Sequence, residues 1–434
     1  MIWLALLNIA AIVLCVRLSV SPSLGVYRRS VVNPMLVLVL LLIVMNVDYW
    51  VLAGDPRSIA IFELRVSAYR EAVVEAYAGF TTFSWALVFG AWMGLLGRKR
   101  RVGAVASVES SFAIERSARI ALVAIFFAGL VTSIGYLGNL KLMLAGEFSR
   151  QIYFRENQWV NLVFMLVIPA FAIFAYAKRS FDREALCWFL AASGLLAISG
   201  SRGALLLLGT SVVAALAAKG RVVRWWWVVP IVPLVSAFLL LYRYYFRASW
   251  AYSSVDEFVA SYGGVLGVFF KSSEISFAEV FLAADQYRER IESYPFEGVL
   301  GALSYLLPRE MFEWKPLSAS AHFTEYLSPR RWEFTKSEIL VTGFGNVLLE
   351  FGLYWGAVVI CAIGFLWAKL LAATAQASRF YLAVLYPYAV WWMYVFLRGD
   401  FFNLGSTIWP LALVIAMHIA VRSSSLSRLS ISKS

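Results

Sequence analysis

Along its length the chain alternates between long runs of apolar side chains and short polar connectors. A helix that crosses a bilayer needs about 20 mostly apolar residues. By that measure the pattern predicts about eleven spans, at residues 2–20, 34–53, 76–96, 119–137, 159–177, 185–199, 204–218, 225–242, 350–372, 380–397 and 404–421. One stretch breaks the rhythm. Residues 243–337 are rich in Tyr, Trp, Pro and charge and too long for a connector, and long loops in compact domains are usually functional. The expected division is therefore an N-terminal helical part over 1–242, a large loop with short helices over 243–337, a C-terminal helical part over 338–421 and a disordered Ser-rich tail over 422–434. No basic region precedes residues 2–16 and Arg17 follows them, so the first run is expected to be a span and not a cleaved signal.

Composition agrees with the pattern. Of 434 residues, 61% are hydrophobic and only 15% are charged, and the mean hydropathy is +0.75. Soluble domains carry roughly 45–50% apolar and about 25% charged residues, so the expected fold class is an all-α polytopic membrane protein. Cys15, Cys187 and Cys361 lie far apart in apolar runs, without the pairing of a zinc site or a disulfide framework. With two histidines in the chain, His322 and His418, a histidine-rich metal centre is excluded as well. Neither a metal nor a cofactor is expected.

Charge then gives each connector a side. Arg28 and Arg29, the run Arg98, Lys99, Arg100, Arg101, then Lys178 and Arg179, Lys219, Arg221 and Arg224, Arg379 and the C-terminal tail form one set, which the positive-inside rule places in the cytoplasm. With the span ends included, that side holds 20 Lys and Arg against 4 Asp and Glu, leaving 18 against 22 on the other. The net charge of +12 therefore reports orientation and lipid anchoring rather than nucleic-acid binding. This assignment puts the N-terminus outside, the C-terminus inside and the large loop outside.

Three outer segments carry candidate chemistry: the large loop, the turn Ser199, Gly200, Ser201, Arg202, Gly203, and the turn Arg398, Gly399, Asp400. Arg202 borders two apolar helices, where an unpaired charge near hydrocarbon costs roughly 2.5–3.5 kcal/mol if central. It serves either as a snorkelling anchor on a lipid phosphate or as a bidentate fork for a substrate phosphate. Arg398 poses the same choice, with an ion pair to Asp400 as its plain alternative. Two such arginines in one outer cavity would suit a lipid diphosphate, whose tail stays in the bilayer while its head reaches them. The loop opens on an aromatic and basic stretch around Tyr242–Tyr252, readable as an interfacial belt, which is favoured, or as a sugar-stacking surface. Pro308, Pro316 and Pro329 forbid one long helix there and frame Arg309, Lys315 and His322. His322 is a candidate general base whose plain alternative is a solvated loop histidine. Glu338 and Glu350 border or enter apolar stretches and compete for the same task, Glu350 also being readable as the partner of one of the arginines.

Taken together, the Gly200, Ser201, Arg202, Gly203 turn, the loop with Pro308, Arg309, Lys315 and Pro316, the Gly345, Asn346 and Phe351, Gly352 segment, and the Arg398, Gly399, Asp400 turn resemble the Wzy-type O-antigen polymerases over residues 199–410. The first half matches only as a hydrophobic pattern, and Gly356 follows Gly352 after three residues where that family has a glycine after two. The resemblance implies a multi-helix GT-C-type glycosyltransferase fold, shared with the O-antigen ligases. The implied site faces the periplasm from the bacterial inner membrane. The implied reaction joins sugar repeat units carried on undecaprenyl diphosphate, which serves as donor and acceptor, without metal or cofactor, with membrane lipids around the enzyme and a polysaccharide chain-length regulator as a candidate partner. Arg202, Arg309 and Arg398, helped by Lys315, would hold the departing diphosphate, and Glu338, Glu350 or His322 would take the proton of the attacking hydroxyl. An O-antigen ligase, which transfers to lipid A core and uses a loop histidine, is the nearest alternative. A lipid-linked oligosaccharide flippase ranks below it, since transporters tend toward repeat symmetry and mid-membrane charges.

Overall fold

The computed structural model describes residues 1–30, 33–54, 70–96, 111–137, 158–178, 181–198, 202–219, 221, 252–261, 264, 277–307, 311–312, 314–335, 338–376, 379–399 and 401–416. Among them all regular structure is helical. The helices are α1 (Ile2–Ser19), α2 (Pro34–Gly54), α3 (Arg70–Leu95), α4 (Ser111–Leu137), α5 (Gln158–Ala177), α6 (Arg183–Ile198) and α7 (Arg202–Ala218). Five short helices follow: α8 (Val255–Ser261), α9 (Phe277–Tyr287), α10 (Glu297–Leu303), α11 (Ala319–Leu327) and α12 (Pro329–Thr335). Then come α13 (Gly343–Gln376), α14 (Arg379–Arg398) and α15 (Phe402–Ala416), the last entered through a 3-10 turn.

Five of these helices are long and apolar enough to cross a membrane, within α1, α2, α3, α5 and α13, and α7 and α15 are shorter apolar helices. The protein is an all-α, multi-pass membrane protein. The predicted spans fall on helices wherever the structure describes them; the one at 225–242 lies outside the described residues. Several helices outrun the prediction. Helix α3 begins at Arg70 and α4 at Ser111, each adding polar turns that hydropathy alone does not register.

Among the described residues, helices α3 and α13 form the most extensive pair. They run in the same direction, and small residues let their backbones touch. A Cβ on Gly90 would lie 2.0 Å from the Cys361 carbonyl oxygen, and one on Gly364 would lie 2.3 Å from that of Leu87. In lipid, where no hydrophobic drive separates helix from solvent, such close van der Waals contact is a main source of association. Above this seam sits an aromatic layer in which Phe80 and Phe83 of α3 meet Phe344 of α13, with ring centroids 5.8 and 5.7 Å apart. Phe281 of α9 and Phe396 of α14 extend it.

The short helices dock on this layer through buried hydrogen bonds. The Asp48 carboxylate near the end of α2 accepts from the Ala278 amide at 2.7 Å, so a membrane helix satisfies an orphan donor at the start of α9. Helix α10 lies on the first turn of α15, where a Cβ on Gly301 would meet Phe402 at 2.5 Å and Trp409 donates to the Ala302 carbonyl. At the opposite end of the bundle, Lys178 joins Glu115, Asp182 and Glu184, and Lys219 closes on the carbonyls of Ala175 and Lys178, tying α4, α5, α6 and α7 together.

Candidate functional site

The site is built where α13 breaks. Gly352 adopts φ 70 and ψ −174 inside an otherwise continuous helix. The left-handed φ favours glycine there, since it penalises any Cβ, and a Cβ would stand 2.9 Å from an Arg288 guanidinium nitrogen, which would have to move aside. Arg288 follows the end of α9 and is brought over the break by the docking of that helix. It shares an open cleft of about 340 Å³ with Phe351, Gly352, Leu353, Tyr354 and Trp355. Tyr354 and Trp355 are largely exposed at its edge. A helix restarted after a break also presents its positive dipole end to the gap.

Two residues before the break, Glu350 is buried. Its carboxylate accepts from the backbone amides of Phe296 and Gly298, at 2.9 and 3.0 Å, and from the Asn346 side-chain amide. The Asn346 oxygen in turn accepts from the Phe401 amide at 3.3 Å. Glu350 thus clamps the start of α10, and Asn346 extends the clamp to the start of α15. The clamped turn is strained: Phe296 has φ 66, the single positive φ at a non-glycine among the described residues. Such strain persists only where surroundings impose it, and it clusters at functional sites.

The clamp positions Glu297. This carboxylate is 2% exposed and lies 2.8 Å from His322 Nε2, while Ser293 donates to its other oxygen at 3.3 Å. His322 is held from the other side by α11, whose N-cap is Ser318, accepting from the Ala321 amide. The segment leading into α13 is pinned to the same helix, the Ile339 amide donating to Thr324 and the Val341 amide to Ser320. Glu338 sits half-buried at the head of that segment. Tyr294 stands close enough to both acids to respond to them. Its phenol is pushed upward by burial first, then by the negative charge of Glu297 and Glu350.

The remaining sequence candidates fall as follows. Arg398 ends α14 and donates to the Tyr394 hydroxyl at 2.9 Å. Helix α7 starts at Arg202 and packs on α14, with a Cβ on Gly203 only 2.9 Å from Trp391, so the two arginine-bearing turns lie on adjoining elements. The Arg202 side chain, Arg309 and Asp400 lie outside the described residues. Lys315 is buried and donates to the carbonyls of Tyr305 and Leu307 at 3.0 and 2.7 Å, so two of its three protons hold the end of the α10 region. Glu350 takes its hydrogen bonds from backbone amides and Asn346, and among the described residues no arginine pairs with it. His322, open as a solvated residue on sequence grounds, is paired with Glu297.

Sequence reasoning missed Arg288 and Glu297. Asn346, four residues before Glu350 and buried in the same apolar helix, was a signal that could have pointed to a polar cluster. Glu297 follows Tyr294, Pro295 and Phe296, a turn-like context that carries no signal of burial.

Fold and site together define a multi-pass membrane protein with a carboxylate–imidazole pair and a guanidinium-bearing cleft gathered at one end of its helices. No protein-family model, curated protein or solved structure matches the chain.

Proposed function

We propose that this protein is a glycosyltransferase of the O-antigen polymerase type, joining oligosaccharide repeat units carried on undecaprenyl diphosphate at the periplasmic face of the bacterial inner membrane. The observation that carries this reading is the Glu350 clamp, which sets the Glu297–His322 pair beside the Arg288 cleft at the α13 break. Transfer of a sugar from a diphosphate needs two groups. One removes the proton of the attacking hydroxyl, and the other holds the charge that grows on the departing diphosphate.

Both groups are at hand. In this scheme Nε2–H donates to the Glu297 carboxylate, which leaves Nδ1 as the acceptor. The acceptor hydroxyl gives its proton to that nitrogen as its oxygen bonds to the donor's anomeric carbon. The bond from that carbon to the diphosphate oxygen breaks with its electron pair. Glu297 then stabilises the imidazolium so formed. Arg288, and Arg398 and Arg202 on the adjoining turns, are the guanidinium groups suited to the diphosphate. Glu350 acts in this scheme by holding the turn, and Glu338 stands one segment away.

A second reading has its own support. The ligases use a loop histidine, and His322 is bound to a buried acid, so transfer to lipid A core remains the alternative acceptor chemistry.

The test uses purified protein in lipid discs with lipid-diphosphate repeat units and a chelator, products being resolved on a gel. A ladder is expected, and His322→Ala and Arg288→Ala should each abolish it while folded protein persists. Transfer seen only after lipid A core is added would replace polymerase by ligase. No product in either case would overturn the enzyme reading.

A further inference from the structure

Helix α10 carries its polarity the wrong way round for a helix lying in water. Glu297, Gly298, Gly301 and Ala302 face inward and are buried, whereas Phe296, Leu300 and Leu303, spaced i, i+4 and i+7 on the other face, are 57, 46 and 58% exposed. Phe296 also holds its ring outward from a backbone with φ 66, a conformation that penalises so bulky a side chain. An exposed apolar stripe of this kind marks either a protein or a membrane contact. Three observations choose between them.

The first is depth. The inner face of α10 and the turn after it run down α15: a Cβ on Gly301 would meet Phe402, one on Gly405 would meet Tyr305 and the Ala302 carbonyl, and Trp409 donates to that same carbonyl at 3.2 Å. Trp409 stands about 10 Å along α15 from its start, at 1.5 Å per residue. Tyr305 also accepts, at 2.8 Å, from Asn161, which opens the apolar span Val160–Ala177 in α5. Helix α10 is therefore level with the opening turns of two apolar helices and not above them.

The second is how its ends are satisfied. Helix termini leave orphan amides and carbonyls, which water serves on an ordinary surface. Here Glu350 takes the amides of Phe296 and Gly298, Trp409 serves the Ala302 carbonyl, and Lys315, itself buried, holds those of Tyr305 and Leu307. In hydrocarbon, backbone polar groups must find their partners inside the protein, and the ends of α10 are supplied in that way. The third observation is continuity. The Phe296 ring packs on Phe351 of α13 with centroids 5.0 Å apart, and from there the exposed side chains Tyr354, Trp355, Val358 and Leu366 continue along the same spanning helix. A protein partner would have to cover α10 alone at the edge of that surface, whereas a lipid leaflet covers both at once.

We propose that α10 is seated in the membrane, with Phe296, Leu300 and Leu303 sunk among the acyl chains of the leaflet that borders the candidate site. The bilayer is the occupant of this face; a second protein or another segment of the chain is the competing one. Glu297 projects from the opposite face of the same helix, so the leaflet sets the height of the Glu297–His322 pair. The inference does not depend on the transferase reading.

The experiment maps contacts on the unaltered, full-length protein in lipid discs. It is photolabelled once with a phosphatidylcholine bearing a diazirine in the middle of an acyl chain and once with a water-soluble diazirine, and the labelled residues are read by mass spectrometry. Val358 and Leu366 are the lipid-facing references, and Asp256 and Glu257, exposed on α8, are the aqueous ones. Expected at Phe296, Leu300 and Leu303 is acyl-chain labelling comparable to the lipid-facing references, with aqueous labelling well below that of α8. Acyl-chain labelling confined to the references, or aqueous labelling equal to that of α8, would overturn the proposal. The absence of both labels would give the face to another part of the protein and overturn it equally. Leu303→Asp sets a carboxylate against hydrocarbon and should cut acyl-chain labelling at Leu300 by about tenfold while the references hold; undiminished labelling there would count against the seat. Because the mapping itself needs no variant, a poorly folded Leu303→Asp does not blunt it.

Discussion

Glu279 gives the most direct test of how the short helices are seated. It lies on α9 with 6% exposure, and one of its carboxylate oxygens is buried without a hydrogen-bond partner. Burial lifts its pKa from the ordinary 4.5 to about 7. A group whose pKa is raised on folding contributes stability that is complete below the unfolded value and lost as pH rises through the folded one. For Glu279 that window runs from about pH 4.5 to about pH 7, and above it the folded chain holds a buried anion. At 1.36 kcal/mol per pH unit, the difference across the window is about 3 kcal/mol. Glu279→Gln keeps the shape and removes the titration. Unfolding of both proteins in the same micelles should therefore give similar stabilities near pH 4.5 and a variant more stable by up to about 3 kcal/mol at about pH 8. Asp48 feels the charge of Glu279, so the comparison reads the response of the two carboxylates together, with the other titrating groups shared. A stability difference that does not change with pH, or a variant less stable at the higher pH, would refute the argument.

Other substitutions probe separate parts of the fold. Gly352→Ala should destabilise by about 1–2 kcal/mol from backbone strain alone and, by pushing Arg288 aside, should reduce turnover more than Leu353→Ala does in the same gel assay. Arg288→Lys should rescue binding of the diphosphate poorly, since it keeps the charge and loses the fork; full binding of the lipid diphosphate by the Lys variant would contradict a bidentate contact. Gly90→Val must force α3 from α13 and should lower stability by about 3 kcal/mol, whereas Gly209→Ala, with nothing within 4 Å of the new methyl group, should gain about 1 kcal/mol. Asp48→Ala should loosen α9, costing about 1 kcal/mol for the lost cap and exposing its start to faster amide exchange.

The membrane helices were legible because bilayer thickness imposes a length on apolar runs, and that length survives without any tertiary knowledge. The polar first turns of α3 and α4 were invisible for the same reason: hydropathy marks the part in hydrocarbon and ignores how far the helix continues beyond it. The candidate site was legible only in pieces. Glu350 and His322 were singled out, but the residue that joins them was not, since Phe296 and Glu350 stand 54 positions apart and meet only when α10 docks. Arg288 looked like one charge among several on a polar stretch until α9 carried it over Gly352. Lys315 shows the converse: its charge suggested a ligand for phosphate, while its surroundings give it two carbonyls to hold.

The interruption at Gly352 also bears on how the chain enters a bilayer. The piece before it, residues 343–351, is far too short to span, whereas the 24 residues from Leu353 to Gln376 reach about 36 Å at 1.5 Å each, enough to cross hydrocarbon about 30 Å thick. The translocation machinery can therefore commit the second piece alone, and the Glu350 carboxylate is never driven through lipid as part of an inserting helix. The first piece is left at the surface until the loop-borne helices arrive to cap it, which makes completion of the candidate site one of the last events in biogenesis rather than a by-product of insertion.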